Sequence, residues 1–294
     1  MALEGLHHIT AITGDARRNV DWYTRVLGLR LVKKTVNFDA PDVYHLYYGD
    51  ETGAPGSIMT FFEFPGAIPG RPGAGMVHRV QSRVASAAAL DFWEQRLAAE
   101  ETATTRAEGA LRFADPDGLE HELVVSDVSD APLTAHVAAI PPEHALAGFA
   151  GVRAYASDPA ASATLLSALG FAGGVLAGDQ RRATYAYDKP PEAPGIQSAG
   201  SIHHVAWSAA DDDELTTLRA IASANGAHPT RILDRQYFHS VYFREPSGVL
   251  FELATRDLGF DVDEPRESLG EALKLPPQYE RLRERLERNL TPLS

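Results

Sequence analysis

The sequence predicts an α+β fold of four tandem βαβββ modules, forming two curved mixed-sheet cups with a C-terminal helix. Three observations predict it. A short strand-like segment followed by a helix-like one recurs along the 294 residues. Aspartate precedes and glycine follows the helix-like segment in the two clearest copies. A Pro-Gly turn feeding a further strand appears twice, as DPDGLEHEL (115–123) and EPSGVLFEL (245–253). Self-similarity of this kind is the mark of repeated supersecondary units.

The first module, 4–68, opens on LHHITAI (6–12) and continues into GDARRNVDWYTRVLGL (14–29). Asp15 stands where a helix N-cap is wanted, because its carboxylate can accept from the free amides of the first turn. Gly28 stands where the chain must turn left-handed to leave the helix. GAPGSIMT (53–60) is a looser closing turn. The second module, 75–130, runs from VHRV (77–80) into SAAALDFWEQRLAAE (86–100), with Leu90, Trp93 and Leu97 at helical spacing. In the third, 147–195, GVRAY (151–155) leads into ASDPAASATLLSALGF (156–171); KPPEAPGIQSAG (189–200) reads as a linker where a closing turn and strand would fall. The fourth, 200–258, pairs IHHVAW (202–207) with SAADDDELTTLRAIASANG (208–226), Asp211 to Asp213 capping and Gly226 ending the helix. The tail LGEALKLPPQYERLRERLERNL (269–290) reads as a charged helix packed over the core. The chain divides into halves, 1–140 and 141–294, each a pair of modules.

Composition narrows the functions. The net charge of −13 repels nucleic acid and anionic lipid, so neither is an expected partner. There is no cysteine, which excludes disulfides, thiolate zinc sites and cysteine nucleophiles. No apolar run approaches the roughly 20 residues of a membrane span. MALEGLHHIT lacks the basic and apolar regions of a signal peptide, so a cytoplasmic location is expected. The oligomeric state stays open, a homo-oligomer included.

The chemistry concentrates in the paired histidines. Successive side chains of a strand point to opposite faces. His8 therefore shares a face with Thr10, and His204 one with Ala206 and Ser208. The other face, Ile9 with His7 and Val205 and Trp207 with His203, suits packing under a helix. Alternation thus places His8 and His204 in the concave site. Glu252 lies between Phe251 and Leu253 in the closing strand, where a carboxylate is costly unless it is paired or bound to metal. Two imidazoles and one carboxylate form a facial triad with open positions, the arrangement of non-haem Fe(II) oxygenases. Fe(II) is the expected metal, with Mn(II) and Zn(II) as alternatives.

The stretch from Leu6 to Phe62, SIHHVAWS (201–208), FREPSGVLFELAT (243–255) and LGEALKLPPQYERLRERLE (269–287) resemble the vicinal oxygen chelate superfamily. Within it they resemble the para-diol, hydroquinone-type ring-cleaving dioxygenases. The resemblance implies Fe(II) bound by His8, His204 and Glu252. It implies polar residues around a bound phenol, which by motif position are His7, Thr10, His203, Arg235 and Tyr242. A phenolic substrate and O₂ are the implied partners. Catechol-cleaving relatives take a histidine from the third module, where this sequence has Gly151. Module two keeps Glu122, matching Glu252, without a histidine pair to join it. Modules one and four must then lie side by side. A glyoxalase-like isomerase or lyase is a rival, but it usually wants a second carboxylate where Thr60 stands. The other rivals are a small-molecule-binding resistance protein without catalysis and an inactive zinc-bound relative.

Overall fold

The computed structural model describes residues 3–107 and 109–293. Residues 1 and 2, at the start of the segment read as lacking a leader, and residue 294 lie outside the described residues. Module one is β1 (Leu6–Thr13), α1 (Ala16–Asp21) with a π-helical turn Trp22–Val26, β2 (Arg30–Val36), β3 (Tyr44–Gly49) and β4 (Ile58–Glu63). Module two is β5 (Met76–Val84), α2 (Ala87–Ala99), β6 (Thr104–Ala107), β7 (Ala110–Ala114) and β8 (Glu120–Val125). Module three is β9 (Phe149–Tyr155), α3 (Ala163–Ala168), β10 (Val175–Ala177) and β11 (Arg182–Asp188). Module four is β12 (Ile202–Ala209), α4 (Asp212–Ala224), β13 (Leu233–Asp234), β14 (His239–Arg244) and β15 (Leu250–Thr255).

The helix boundaries follow the sequence signals. Asp15 accepts a hydrogen bond from the Arg18 amide and Asp211 one from the Glu214 amide, each satisfying a donor the helix leaves free. Gly28 and Gly226 take φ of +68° and +87°, which side-chain-bearing residues rarely adopt. Leu90, Trp93 and Leu97 bury one face of α2, and Leu215, Leu218 and Ala222 one face of α4.

The strands form an eight-stranded sheet in the order β13-β14-β15-β12-β1-β4-β3-β2 and a seven-stranded sheet in the order β10-β11-β9-β5-β8-β7-β6. Modules one and four share the first sheet, modules two and three the second, so each sheet draws on both 1–140 and 141–294. At the middle of each, first strands pair antiparallel, β1 with β12 and β5 with β9. Each first strand also pairs parallel with the closing strand of its own module. The core lies on the faces turned away from the cups: Ile9, Val205, Trp207, Phe251 and Leu253 are wholly buried. Trp207 sets its ring 4.8 Å from Phe171 and 5.9 Å from Tyr185, joining module four to module three.

Two expectations are corrected. Module three does have a closing strand, β11, placed ahead of the linker and parallel to β9; what it lacks is one interior strand. The tail is not one helix. Pro276 and Pro277 cannot extend a helix upstream, so a 3₁₀ turn (Pro277–Leu282) precedes a short α5 (Arg283–Asn289). Leu286 and Leu290 still pack into the core. No helix among the described residues is long and apolar enough to cross a membrane.

Strict alternation also fails at two places that matter. In the β1–β12 ladder Leu6 opposes Trp207 and His8 opposes Ala206, so His7 is an unopposed extra residue. Further along, Thr10 opposes His204 and Ala11 opposes Ile202, which leaves His203 unopposed. These are two β-bulges related by the pseudo-two-fold of the sheet. A bulge re-aims a side chain, and here it turns His7 toward His8 and His203 toward His204.

Candidate metal centre

His8, His204 and Glu252 converge from β1, β12 and β15. Their Nε2, Nε2 and Oε2 atoms stand 3.3 Å (His8 to His204), 3.1 Å (His8 to Glu252) and 2.9 Å (His204 to Glu252) apart. All three side chains are buried. Donors at right angles around one cation, with bonds of about 2.1 Å, stand about 3.0 Å apart, and tetrahedral ones about 3.4 Å. The 3.1 Å and 2.9 Å spacings lie nearer the first value, that of a facial set, and the 3.3 Å spacing nearer the second. Glu252 Oε2 has no hydrogen-bond donor of acceptable geometry, although the residue is wholly buried. Such an orphaned oxygen is costly unless a cation meets it. Among the described residues this is the one His/Asp/Glu group that could hold a metal ion, and its donor set fits a single divalent cation. Burial alone would push the Glu252 carboxyl up; the His8 and His204 rings outweigh it and hold it well below the usual carboxylate range. Burial also lowers His204, which favours the neutral ring that binds metal.

A bulged histidine fixes the tautomer of its neighbour at the candidate centre. His7 Nε2 lies 3.0 Å from the Thr255 carbonyl, which can only accept, so that nitrogen carries the proton. His7 Nδ1 is then an acceptor, and His8 Nδ1, 2.9 Å away, donates to it. His8 Nε2 is left bare toward Glu252. Burial and the His8 ring lower the His7 pKa to about 3, so it stays neutral in this role. His203 and His204 repeat the contact, Nδ1 to Nδ1 at 2.8 Å. Among the described residues no carbonyl seals the far nitrogen of His203, a residue that lines a cavity; burial and His204 lower its pKa to about 4.

That cavity, about 630 Å³, opens on His8 and His204 and is walled by the rings of Phe38, Tyr47, Phe62 and Phe238. Of the other residues singled out from sequence, His203, Arg235 and Tyr242 line it. His7 and Thr10 do not. His7 stands behind His8, and Thr10 is wholly buried, accepting a hydrogen bond from Thr60 at 3.0 Å. Arg235 donates from Nε to the Tyr242 hydroxyl at 3.3 Å and lies over the Tyr242 ring. Burial and Glu252 push the Tyr242 phenol up, so it keeps its proton.

Several residues that sequence reasoning passed over belong here. His45 and Tyr47 project from β3 and bond to each other at 2.8 Å, and His45 Nε2 meets Thr60 Oγ1 at 2.8 Å. The alternation of YHLYYG carries that signal. Ser240 donates to Glu252 Oε1 and has only its place in β14 to mark it. Phe238 sets its ring 5.0 Å from that of His8.

The second sheet keeps the same register with different chemistry. By their bulged ladders, Gly151 takes the place of His8, Arg79 that of His204 and Glu122 that of Glu252. Glu122 accepts from Arg112 at 2.5 Å and Gln81 at 2.6 Å. Guanidinium and amide groups meet the carboxylate there, where a cation would in the first sheet. A side chain at Gly151 would collide with Thr184, whose Oγ1 lies 2.0 Å from the position of a Cβ.

Comparison with known proteins agrees with this architecture. The chain is 42% identical over 302 residues to the "Putative ring-cleaving dioxygenase MhqO" of Bacillus subtilis (strain 168), covering 98% of this chain and 96% of that one. It is 34% identical over 318 residues to the "Chlorohydroquinone/hydroquinone 1,2-dioxygenase" of Sphingobium indicum, covering 98% and 96%. A crystal structure of a "putative dioxygenase" from Bacillus subtilis superposes with a TM-score of 0.92 at 38% identity, covering 100% of this chain and 98% of that one. The Glyoxalase/Bleomycin resistance protein/Dioxygenase superfamily matches at residues 5–123 and 142–253, the two pairs of modules. The chain belongs to that superfamily.

Proposed function

We propose that the protein is a ring-cleaving dioxygenase that uses Fe(II) at His8, His204 and Glu252 to insert O₂ into hydroquinone-type para-diols. The observation that carries this reading is a facial set of three buried donors opening into a cavity with aromatic walls. The names of two relatives, a ring-cleaving dioxygenase and a hydroquinone 1,2-dioxygenase, support it. Thr60, opposite Thr10 where Glu252 lies opposite Ala206, supplies no second carboxylate, which speaks against the isomerase reading.

The aromatic walls hold a flat ring and keep bulk water from it. Arg235 meets a phenolate oxygen with a fixed positive charge, oriented by Tyr242 and by stacking on Phe38. The Tyr242 hydroxyl, protonated, donates where negative charge develops. His203, whose Nδ1 accepts from His204, carries its proton on Nε2 and donates from there to a phenolate oxygen. Fe(II), when bound, supplies the paramagnetic centre through which a spin-paired ring reacts with O₂. The ring bond beside a hydroxyl-bearing carbon breaks, and both oxygen atoms enter the product. That product is a ring-opened semialdehyde acid, or an acyl derivative where the ring carries a halogen.

Protein loaded with Fe(II) without air and then given hydroquinone, or a methyl- or chloro-substituted one, should take up one O₂ per ring consumed. Catechol should react poorly. Preferential catechol cleavage would overturn the para-diol assignment. No uptake with any dihydroxybenzene, in protein shown to hold Fe(II), would overturn the dioxygenase assignment.

A further inference from the structure

The segment after β15 does more than cover the core. Lys33 on β2 is wholly buried, an unusual place for an ammonium group. A register shift between Leu31 and Lys33 interrupts the β2–β3 pairing beside it. Its Nζ donates to Asp263 and Glu264, each at 2.7 Å, and stands 5.1 Å from the centre of the Tyr237 ring. Glu264 also accepts the amides of Gly270 and Ala272, which anchors the tail.

Asp263 is shared. Its Oδ1 takes Lys33, and its Oδ2 accepts from Gln236 Nε2 at 2.7 Å and from the Tyr237 hydroxyl at 3.0 Å. Gln236 and Tyr237 lie between β13 and β14, flanked by Arg235 and Phe238. This turn is tight: the Arg235 amide donates to the Phe238 carbonyl and the Tyr237 amide to the Arg235 carbonyl. Gln236 has φ of +69°, a conformation costly for a side-chain-bearing residue and kept only where its surroundings over-determine it. The tail holds the opposite rim as well, where the Tyr279 hydroxyl donates to the Phe38 carbonyl at 2.7 Å. β2 and β13 are the two edges of the eight-stranded sheet. The C-terminal segment therefore ties one edge of this sheet to the turn beside the other.

We propose that Asp263, held by buried Lys33, is a positioning residue for substrate binding: it locks the turn from which Arg235 and Phe238 reach the aromatic cavity. The inference rests on the proposed role of Arg235 toward a phenolate and adds the tail to the machinery of the site. Asp263 touches neither substrate nor metal.

A double-mutant cycle tests it on full-length protein loaded with Fe(II) without air. Hydroquinone affinity is measured by calorimetry, beside iron content and melting temperature. Asp263→Ala should keep its iron and weaken hydroquinone binding about tenfold, the scale of one misplaced charge-assisted contact. Arg235→Ala added to it should cost less than about twofold more, because the contact is already lost. Asp263→Asn, which can still accept from Tyr237, should recover part of the loss. Affinity within twofold of wild type for Asp263→Ala, or losses that multiply in the double variant, would overturn the proposal; a lowered melting temperature with unchanged affinity does the same. Wild-type protein that binds no hydroquinone would refute the functional reading alone. The positioning claim is then decided by amide hydrogen exchange, which Asp263→Ala must speed at 234–239 but not in β1.

Discussion

His8 and His204 stand Nε2 to Nε2 at 3.3 Å although 196 residues separate them in the chain. The contact is made by the antiparallel pairing of β1 with β12, which brings the first and fourth modules together. Without a cation, two bare imidazole nitrogens and a buried carboxylate face one another, an unfavourable arrangement.

Metal should therefore stabilise the fold as well as serve chemistry. His8→Ala, His204→Ala and Glu252→Ala are each expected to lose most bound iron while circular dichroism stays native. Wild-type protein at a free metal concentration one hundred times its Kd should gain about 2.7 kcal/mol over the metal-free form. The three variants should gain almost nothing from added metal in thermal melts.

His7→Phe removes the acceptor that fixes the His8 tautomer while keeping an aromatic ring in the bulge. Iron affinity, read by competition with a chelator, should fall about 10- to 100-fold, the usual range for groups that orient a metal ligand. Normal affinity in this variant would show that the His7–His8 contact does not set the tautomer.

Tyr242→Phe should slow turnover of hydroquinone about 10- to 100-fold and leave iron content unchanged, since the lost proton donor acts on the substrate. Arg235→Ala should act mainly on KM, because a fixed cation binds the phenolate before and during reaction. Steady-state kinetics at saturating O₂ separates the two.

The second sheet gives a pH signature. Hydrogen bonds from Arg153 hold the Asp188 carboxyl low, at about 2 against an ordinary 3.8, with His78 adding to the effect. A depressed acid contributes stability above its unfolded pKa and loses it as pH falls through the folded one. Asp188→Asn should thus cost below about 1 kcal/mol at neutral pH, the group being partly exposed. Its stability should fall less steeply than that of the wild type between pH 4 and pH 2, as measured by urea unfolding. Equal slopes would mean that the Arg153 pair is screened out.

The modules, and the residues that converge at the candidate metal centre, were legible because repetition is itself a long-range signal. Asp15, Gly28, Asp211 and Gly226 mark helix ends through local backbone chemistry, and that chemistry operates as expected. Alternation located His8 and His204 because bulges leave the parity of the residues beyond them readable. It misassigned the faces of His7 and His203, because a bulge depends on how two strands meet and one strand's pattern does not record it. The closing strand of module three was hidden by the loss of a neighbour, and the tail by Pro276 and Pro277 interrupting a helical composition. His45, Ser240 and Asp263 escaped notice for a further reason. Their partners, Thr60, Glu252 and Lys33, become neighbours only through strand pairing or tail docking.

The bond between the first and fourth modules sets a timetable for the newborn chain. A ribosome delivers β1 with one open edge, and at about 5–20 residues per second β12 follows roughly 10 to 40 s later. Modules two and three are adjacent in sequence and can close their sheet in that interval. The first module must wait with a strand edge unsatisfied, an invitation to aggregation or to chaperone binding. A chain cut short before β12 would carry His8 with no partner to complete the site. The candidate metal centre is thus completed last, once synthesis has reached the closing strand of the fourth module.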